Sequence, residues 1–214
     1  MNALARALGA LLLVSGTAQA STLLTATLTN EQETHEVVPT TADVPPLARP
    51  ISFGSATFEL NDAMTAMTFE AIVNNIDFTG TQTADINDNL VAAHIHASPT
   101  AVPGINGGVV WGFFGAPFND NNPNDIVFTP FATGVGGTIS GKWDAPEGNG
   151  TTLTAQLDNI LGGTSYMNFH TTEFGGGEVR GQIVVVPEPE TYALLLAGLG
   201  VLGVVARRRK QKGS

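Results

Sequence analysis

Phe53-Gly54-Ser55-Ala56-Thr57-Phe58-Glu59-Leu60 alternates apolar and polar side chains toward its end. A period of two is that of a β-strand with one face buried. The same reading extends outward along the chain. Met64 to Phe78, with a bulge, Val91 to Ala97, Gly108 to Phe114, Thr151 to Leu157, Ser165 to Thr171 and Glu178 to Val186 all fit strands. Thr79-Gly80, Gly162-Gly163 and Gly175-Gly176-Gly177 supply the turns between them. Between Ser21 and Val186 no segment shows sustained apolar spacing of 3.6 residues. Glu31 to Pro50, with four prolines, reads as a long irregular connection. Six to eight short strands at this spacing predict an all-β domain. A single β-sandwich, immunoglobulin-like or superoxide-dismutase-like, is the expected architecture, with a small barrel as the alternative.

Both ends stand apart from this pattern. Arg6 opens a weakly positive stretch, Ala7 to Val14 is apolar, and Ala18-Gln19-Ala20 forms an A-x-A site before Ser21. Residues 1–20 therefore read as a signal peptide cut between Ala20 and Ser21. At the other end, Pro187-Glu188-Pro189 precedes an uncharged run from Tyr192 to Ala206 and the cations Arg207-Arg208-Arg209-Lys210. That run holds 15 residues. As a helix it spans roughly 22 Å at 1.5 Å per residue, short for a hydrocarbon core of about 30 Å. The cations behind it resist translocation. This three-part tail resembles the PEP-CTERM sorting signal of exopolysaccharide-producing Gram-negative bacteria. The resemblance implies that an exosortase-type membrane enzyme is a partner and reads Pro187, Glu188 and Pro189. It also implies transient inner-membrane anchoring through helix 192–206 before transfer to the cell surface or extracellular matrix. An ordinary single-pass anchor is the alternative. The expected division is 1–20 signal peptide, 21–186 β domain and 187–214 sorting tail.

The stretch from Ser21 to Val186 is long enough for one domain with a substantial core. Arg49, Lys142 and Arg180 are its only Lys or Arg residues, against 17 Asp and Glu, a formal charge of −14. Such a surface argues against nucleic acid or an anionic bilayer face as a partner, since both require clustered cations. The chain has no cysteine, which excludes disulfide staples and thiol chemistry.

Three stretches carry candidate chemistry. In Ala93-His94-Ile95-His96 the two histidines are two residues apart on a strand, so both imidazoles point to one face about 6.5–7 Å apart. Asn168-Phe169-His170-Thr171 places a third histidine on another strand. In Gly177-Glu178-Val179-Arg180-Gly181-Gln182, Glu178 and Arg180 share a face. One reading is a metal site: His94, His96 and His170, with Glu178 or Glu173, suit three- or four-ligand binding of zinc or copper. The other is architectural, with hydrogen-bonded histidines and Glu178 and Arg180 in a partly buried ionic network.

Other stretches are weaker. Asp85-Ile86-Asn87-Asp88-Asn89 begins like a calcium loop, but Leu90 and His96 occupy the positions where glycine and glutamate are needed. Asn119-Asp120-Asn121-Asn122-Pro123-Asn124-Asp125 reads as a calcium loop or a solvated turn. Trp111, Phe113, Phe114 and Phe118 read as a sugar platform or as a core face. Asn149-Gly150-Thr151 matches a glycosylation sequon but also a turn. His35 receives no role. No Ser-His-Asp spacing or phosphate loop is present.

Taken together, Ala93 to His96, the stretch Pro103-Gly104-Ile105-Asn106-Gly107-Gly108-Val109-Val110 and the segment Tyr166 to Gln182 resemble the CHRD domain. This module is named for chordin and is widespread in bacterial exported proteins. The family's opening Gly-x-x-Glu turn and nearby Pro-Pro pair are not matched: the chain has Leu28-Thr29-Asn30-Glu31-Gln32-Glu33, and Pro45-Pro46 comes later. Two functions stay open. One is a non-enzymatic surface or matrix module that binds extracellular polysaccharide, a surface protein or a cation. The other is a zinc or copper metalloprotein with redox or hydrolytic activity.

Overall fold

Alternation sets the strands and also the sides of the sheets. In β1 (Thr22–Leu28), Leu24, Ala26 and Leu28 are buried while Thr25 and Thr27 face outward. β1 pairs with β2 (Phe53–Leu60), β2 with β3 (Ala66–Asn74) and β3 with β7 (Gly136–Asp144). At the edges β10 (Val184–Val185) joins β1 and β6 (Val127–Pro130) joins β7, which completes a six-stranded antiparallel sheet. The second sheet has the order β5-β4-β8-β9, from β5 (Gly108–Phe114), β4 (Leu90–Ala97), β8 (Ser165–Thr171) and β9 (Val179–Gln182). The two sheets pack as a sandwich and do not close into a barrel. This computed structural model describes residues 21–187 and, in the tail, Leu196, Gly198, Leu199 and Leu202, which are helical. Residues 1–20, expected to be a signal peptide, together with Glu188, Pro189 and most of the 192–206 run, lie outside the described residues. Among the described residues no helix is long and apolar enough to cross a membrane.

Aromatic rings fill the space between the sheets. Phe69 meets Trp111 edge-on at 5.8 Å and Phe113 at 4.9 Å, and Trp111 stacks on Trp143 at 5.5 Å. Trp111 and Phe113 are therefore core, and of the aromatic group only Phe118 is exposed. Each such ring contributes roughly 1.5–3 kcal/mol by leaving water.

Three expectations are corrected. Thr151 to Leu157 is not a strand: Leu153–Leu161 forms α1, because Thr152 caps it by accepting from the Ala155 N–H. Leu153, Leu157 and Ile160 then lie on one helical face, with Leu153 and Ile160 fully buried. The strand expected over Met64 to Phe78 is shorter, since Met64 and Asn75 adopt positive φ at its ends. Among the described residues ten strands form, three of them (β1, β6 and β7) in segments not read as strands from sequence.

The two outer faces differ. On the six-stranded sheet, Thr57 and Glu70 stand opposite one another in solvent. On the four-stranded sheet every residue of β8 is buried, on both faces. Loops fold over this outer face, and the histidines lie beneath them.

Candidate metal centre

β4 presents His94 and His96 to the covered face, two residues apart. Across the β4–β8 ladder Ala92 faces His170 and His94 faces Asn168, so His170 lies diagonal to His94 on the same face. The β4–β5 ladder shifts register between Ala93 and His94 and again between Ile95 and His96, irregularities of the kind that re-aim side chains. Ring centroids are 5.0 Å apart for His94–His170, 5.6 Å for His94–His96 and 5.8 Å for His96–His170. One potential ligand nitrogen from each ring lies within 4.8 Å of the other two.

Each ring is oriented by one backbone carbonyl. His94 Nε2 lies 3.2 Å from the Ala116 oxygen, His96 Nδ1 3.1 Å from Gly107 and His170 Nδ1 3.1 Å from Gly175. A carbonyl only accepts, so these nitrogens carry the ring protons. His94 Nδ1, His96 Nε2 and His170 Nε2 remain, all buried and without a partner. Burial pushes His96 down to about 3 and His170 to about 4, and lowers His94. The three rings are thus neutral, with free lone pairs, as metal ligands must be. Carbonyl-held N–H groups are the usual outer shell of metal-binding histidines.

The sequence accommodates this with glycine. Gly112 stands opposite His94, and a Cβ there would lie 1.8 Å from the Pro117 oxygen and 3.1 Å from His94 Cδ2. Only glycine lets the loop carrying Ala116 reach the ring. Tyr166 stacks on His96 at 4.9 Å with planes 9° apart. The guanidinium carbon of Arg180 sits 3.4 Å from the centroid of the Tyr166 ring, and Arg180 Nη2 donates to the carbonyls of Val102 and Ile105.

Glu178 does not join the histidines and does not pair with Arg180. Its carboxylate accepts two hydrogen bonds from Arg49, at 2.8 and 2.6 Å, and one from Thr171 Oγ1. Arg49 also holds Glu173 at 2.9 Å, and Glu173 accepts from the Thr40 backbone and hydroxyl. Arg49 was not singled out from sequence, although it is one of only three cations between Ser21 and Val186. The remaining candidates sit elsewhere. His35 stacks on Phe174. Asp85 accepts from the Ala42 and Asn87 amides. In the 119–125 loop, Asp120 accepts from the amides of Asp125 and Ile126, while Glu147 accepts from Asn121 and Asn122. Lys142 bridges Asp125 and Asp144. Asn149 donates to the Val109 carbonyl within a turn.

A family model of the CHRD domain matches residues 24–183, and one of the PEP-CTERM protein-sorting motif matches residues 185–210. No curated protein and no solved structure matches the chain. The sorting motif marks export along the exosortase route to the surface of a Gram-negative bacterium, with a transient membrane-anchored stage.

Proposed function

The chain belongs to the CHRD-domain family, and from that premise we propose that it is an exported surface module built around a three-histidine site for a transition metal, zinc or copper. One observation carries the proposal: three buried imidazoles, each tied by one nitrogen to a carbonyl, leave their other nitrogens unpartnered. Burying three such acceptors without partners is costly. A divalent ion bound by all three recovers that cost, and nitrogen donors in this number suit zinc or copper. The acidic surface, with its few cations, favours cation uptake outside the cell. In this reading residues 1–20 are lost on export, 21–186 form the working domain and 187–214 carry the sorting signal, with Pro187, Glu188 and Pro189 read by the sorting enzyme. Extracellular polysaccharide or a neighbouring surface protein is then the partner within the surface layer.

The test is the metal content of the exported protein, by elemental mass spectrometry, beside a His94→Ala/His96→Ala/His170→Ala variant. Near-stoichiometric zinc or copper is expected in the first and none in the folded variant. A wild-type protein that stays metal-free after exposure to both ions sinks the proposal.

A further inference from the structure

We infer that Asn168 supplies the fourth ligand of this centre through its amide oxygen, with Glu33 as the residue that positions it. The inference rests on the three-histidine reading above. Three imidazoles leave a four-coordinate ion one donor short. Asn168 stands directly opposite His94 in register, between Tyr166 and His170 on the same face of β8. Opposed side chains on an antiparallel pair have Cβ atoms about 4.5–5.5 Å apart, within reach of an ion shared with His94. Asn168 is 1% exposed, and its Oδ1 is buried without a hydrogen-bond partner.

The other oxygens nearby are excluded one by one. The Tyr166 hydroxyl is engaged with Gly107 and Asn106. Glu178 and Glu173 are clamped by Arg49. Glu33 is buried with both oxygens unpartnered, yet it does not fall within the 4.8 Å cluster that the histidines form. It faces Asn168 instead. A Cβ on Gly177 would lie 2.6 Å from Glu33 Oε1 and 2.5 and 2.9 Å from Asn168 Nδ2 and Oδ1, so the carboxyl and the amide meet over that glycine. A carboxylate facing Nδ2 fixes the amide and leaves Oδ1 as its unpartnered atom, on the face that β8 shares with the histidines. Gly177, at φ +123°, leaves the space for both.

Co(II) and azide are the probes, on the exported protein. Wild-type protein is expected to give the intense visible bands of a four-coordinate site, unchanged by azide. Asn168→Ala should shift those bands, take up azide, and bind Co(II) about 10- to 100-fold more weakly, the range seen when a centre loses a supporting group. Asn168→Asp, nearly the same shape, keeps an oxygen donor: it should keep the four-coordinate spectrum and bind more tightly, which tests the inference even if the alanine variant fails to fold. Glu33→Gln should loosen Co(II) binding without opening the site to azide. Wild-type bands that respond to azide, or an Asn168→Ala spectrum identical to wild type, would overturn the assignment while leaving the three histidines in place. Failure of the wild type to bind Co(II), Zn(II) or Cu(II) at all overturns both readings together.

Discussion

Glu33 is buried beside Arg180 with both oxygens unpartnered. Burial pushes its carboxyl up to about 7, against the opposing pull of Arg180 and Asn168. Unfolded, the group ionises near 4.5. Between 4.5 and 7 the native state binds the extra proton, so its contribution to stability falls as pH rises, at up to about 1.4 kcal/mol per pH unit. The histidines act in the opposite sense. Their native values lie below 6.5, so below 6.5 the unfolded chain takes up protons first and stability falls as pH falls. Metal-free protein is therefore pressed from both sides near neutrality. Glu33→Gln removes one of the two pressures. Urea titrations of metal-free protein should find this variant more stable than wild type at pH 8 and close to it at pH 4.5. A variant equally destabilised at both pH values would show that Glu33 is held by contacts the charge does not control.

Arg49 shows how an irregular element is fixed to regular ones. The 31–50 segment has little structure of its own, a short 3-10 turn at Asn30–Gln32 and one bridge between Thr40 and Ala48. Arg49 anchors it to Glu173 and Glu178, the latter fully buried. Removing one partner of such a pair leaves a buried charge uncompensated, at about 3–5 kcal/mol, while removing both is close to neutral. Arg49→Met should therefore unfold at markedly lower urea, and Arg49→Met/Glu178→Leu should recover most of the loss. A double variant as weak as the single one would mean that the segment is held by other contacts. The same pair marks the limit of what was legible in the sequence. Local periodicity revealed β2, β5 and β8 at their observed bounds, and two-residue spacing placed His94 and His96 on one face. α1 was misread because only three apolar residues, Leu153, Leu157 and Ile160, mark its inner face and threonines precede it. β7 escaped because Gly136, Gly137 and Gly141 break its alternation. Arg49 and Glu178 are 129 residues apart, and Glu33 and Asn168 are similarly distant. Only the fold brings these together, so the histidines could be named beforehand and the residues around them could not.

At the scale of the whole molecule, the pairing of the first strand with the last governs how the domain meets the membrane. β1 and β10 are antiparallel, with Leu24 opposite Val185, and the Val186 amide donates to the Leu23 carbonyl at 2.8 Å. Ser21 and Pro187 therefore leave the sandwich side by side, at the end that holds the turn after Leu60. Almost no linker separates that end from the sorting motif, which matches from residue 185. While the tail anchors the protein, this end must face the bilayer. The 31–50 segment lies at the opposite end, about 25 Å away along the eight residues of β2. The absence of cysteine gives a clean background for testing this. Asp62 and Asp43 are both exposed, one at each end. A fluorophore on Asp62→Cys of the anchored protein in vesicles should be strongly quenched by spin-labelled lipid, and one on Asp43→Cys scarcely at all. Removal of the tail by the sorting enzyme should abolish the difference. Equal quenching at the two positions in the anchored protein would mean that the strand pair opens near the membrane and the domain tumbles on a longer tether than the fold provides.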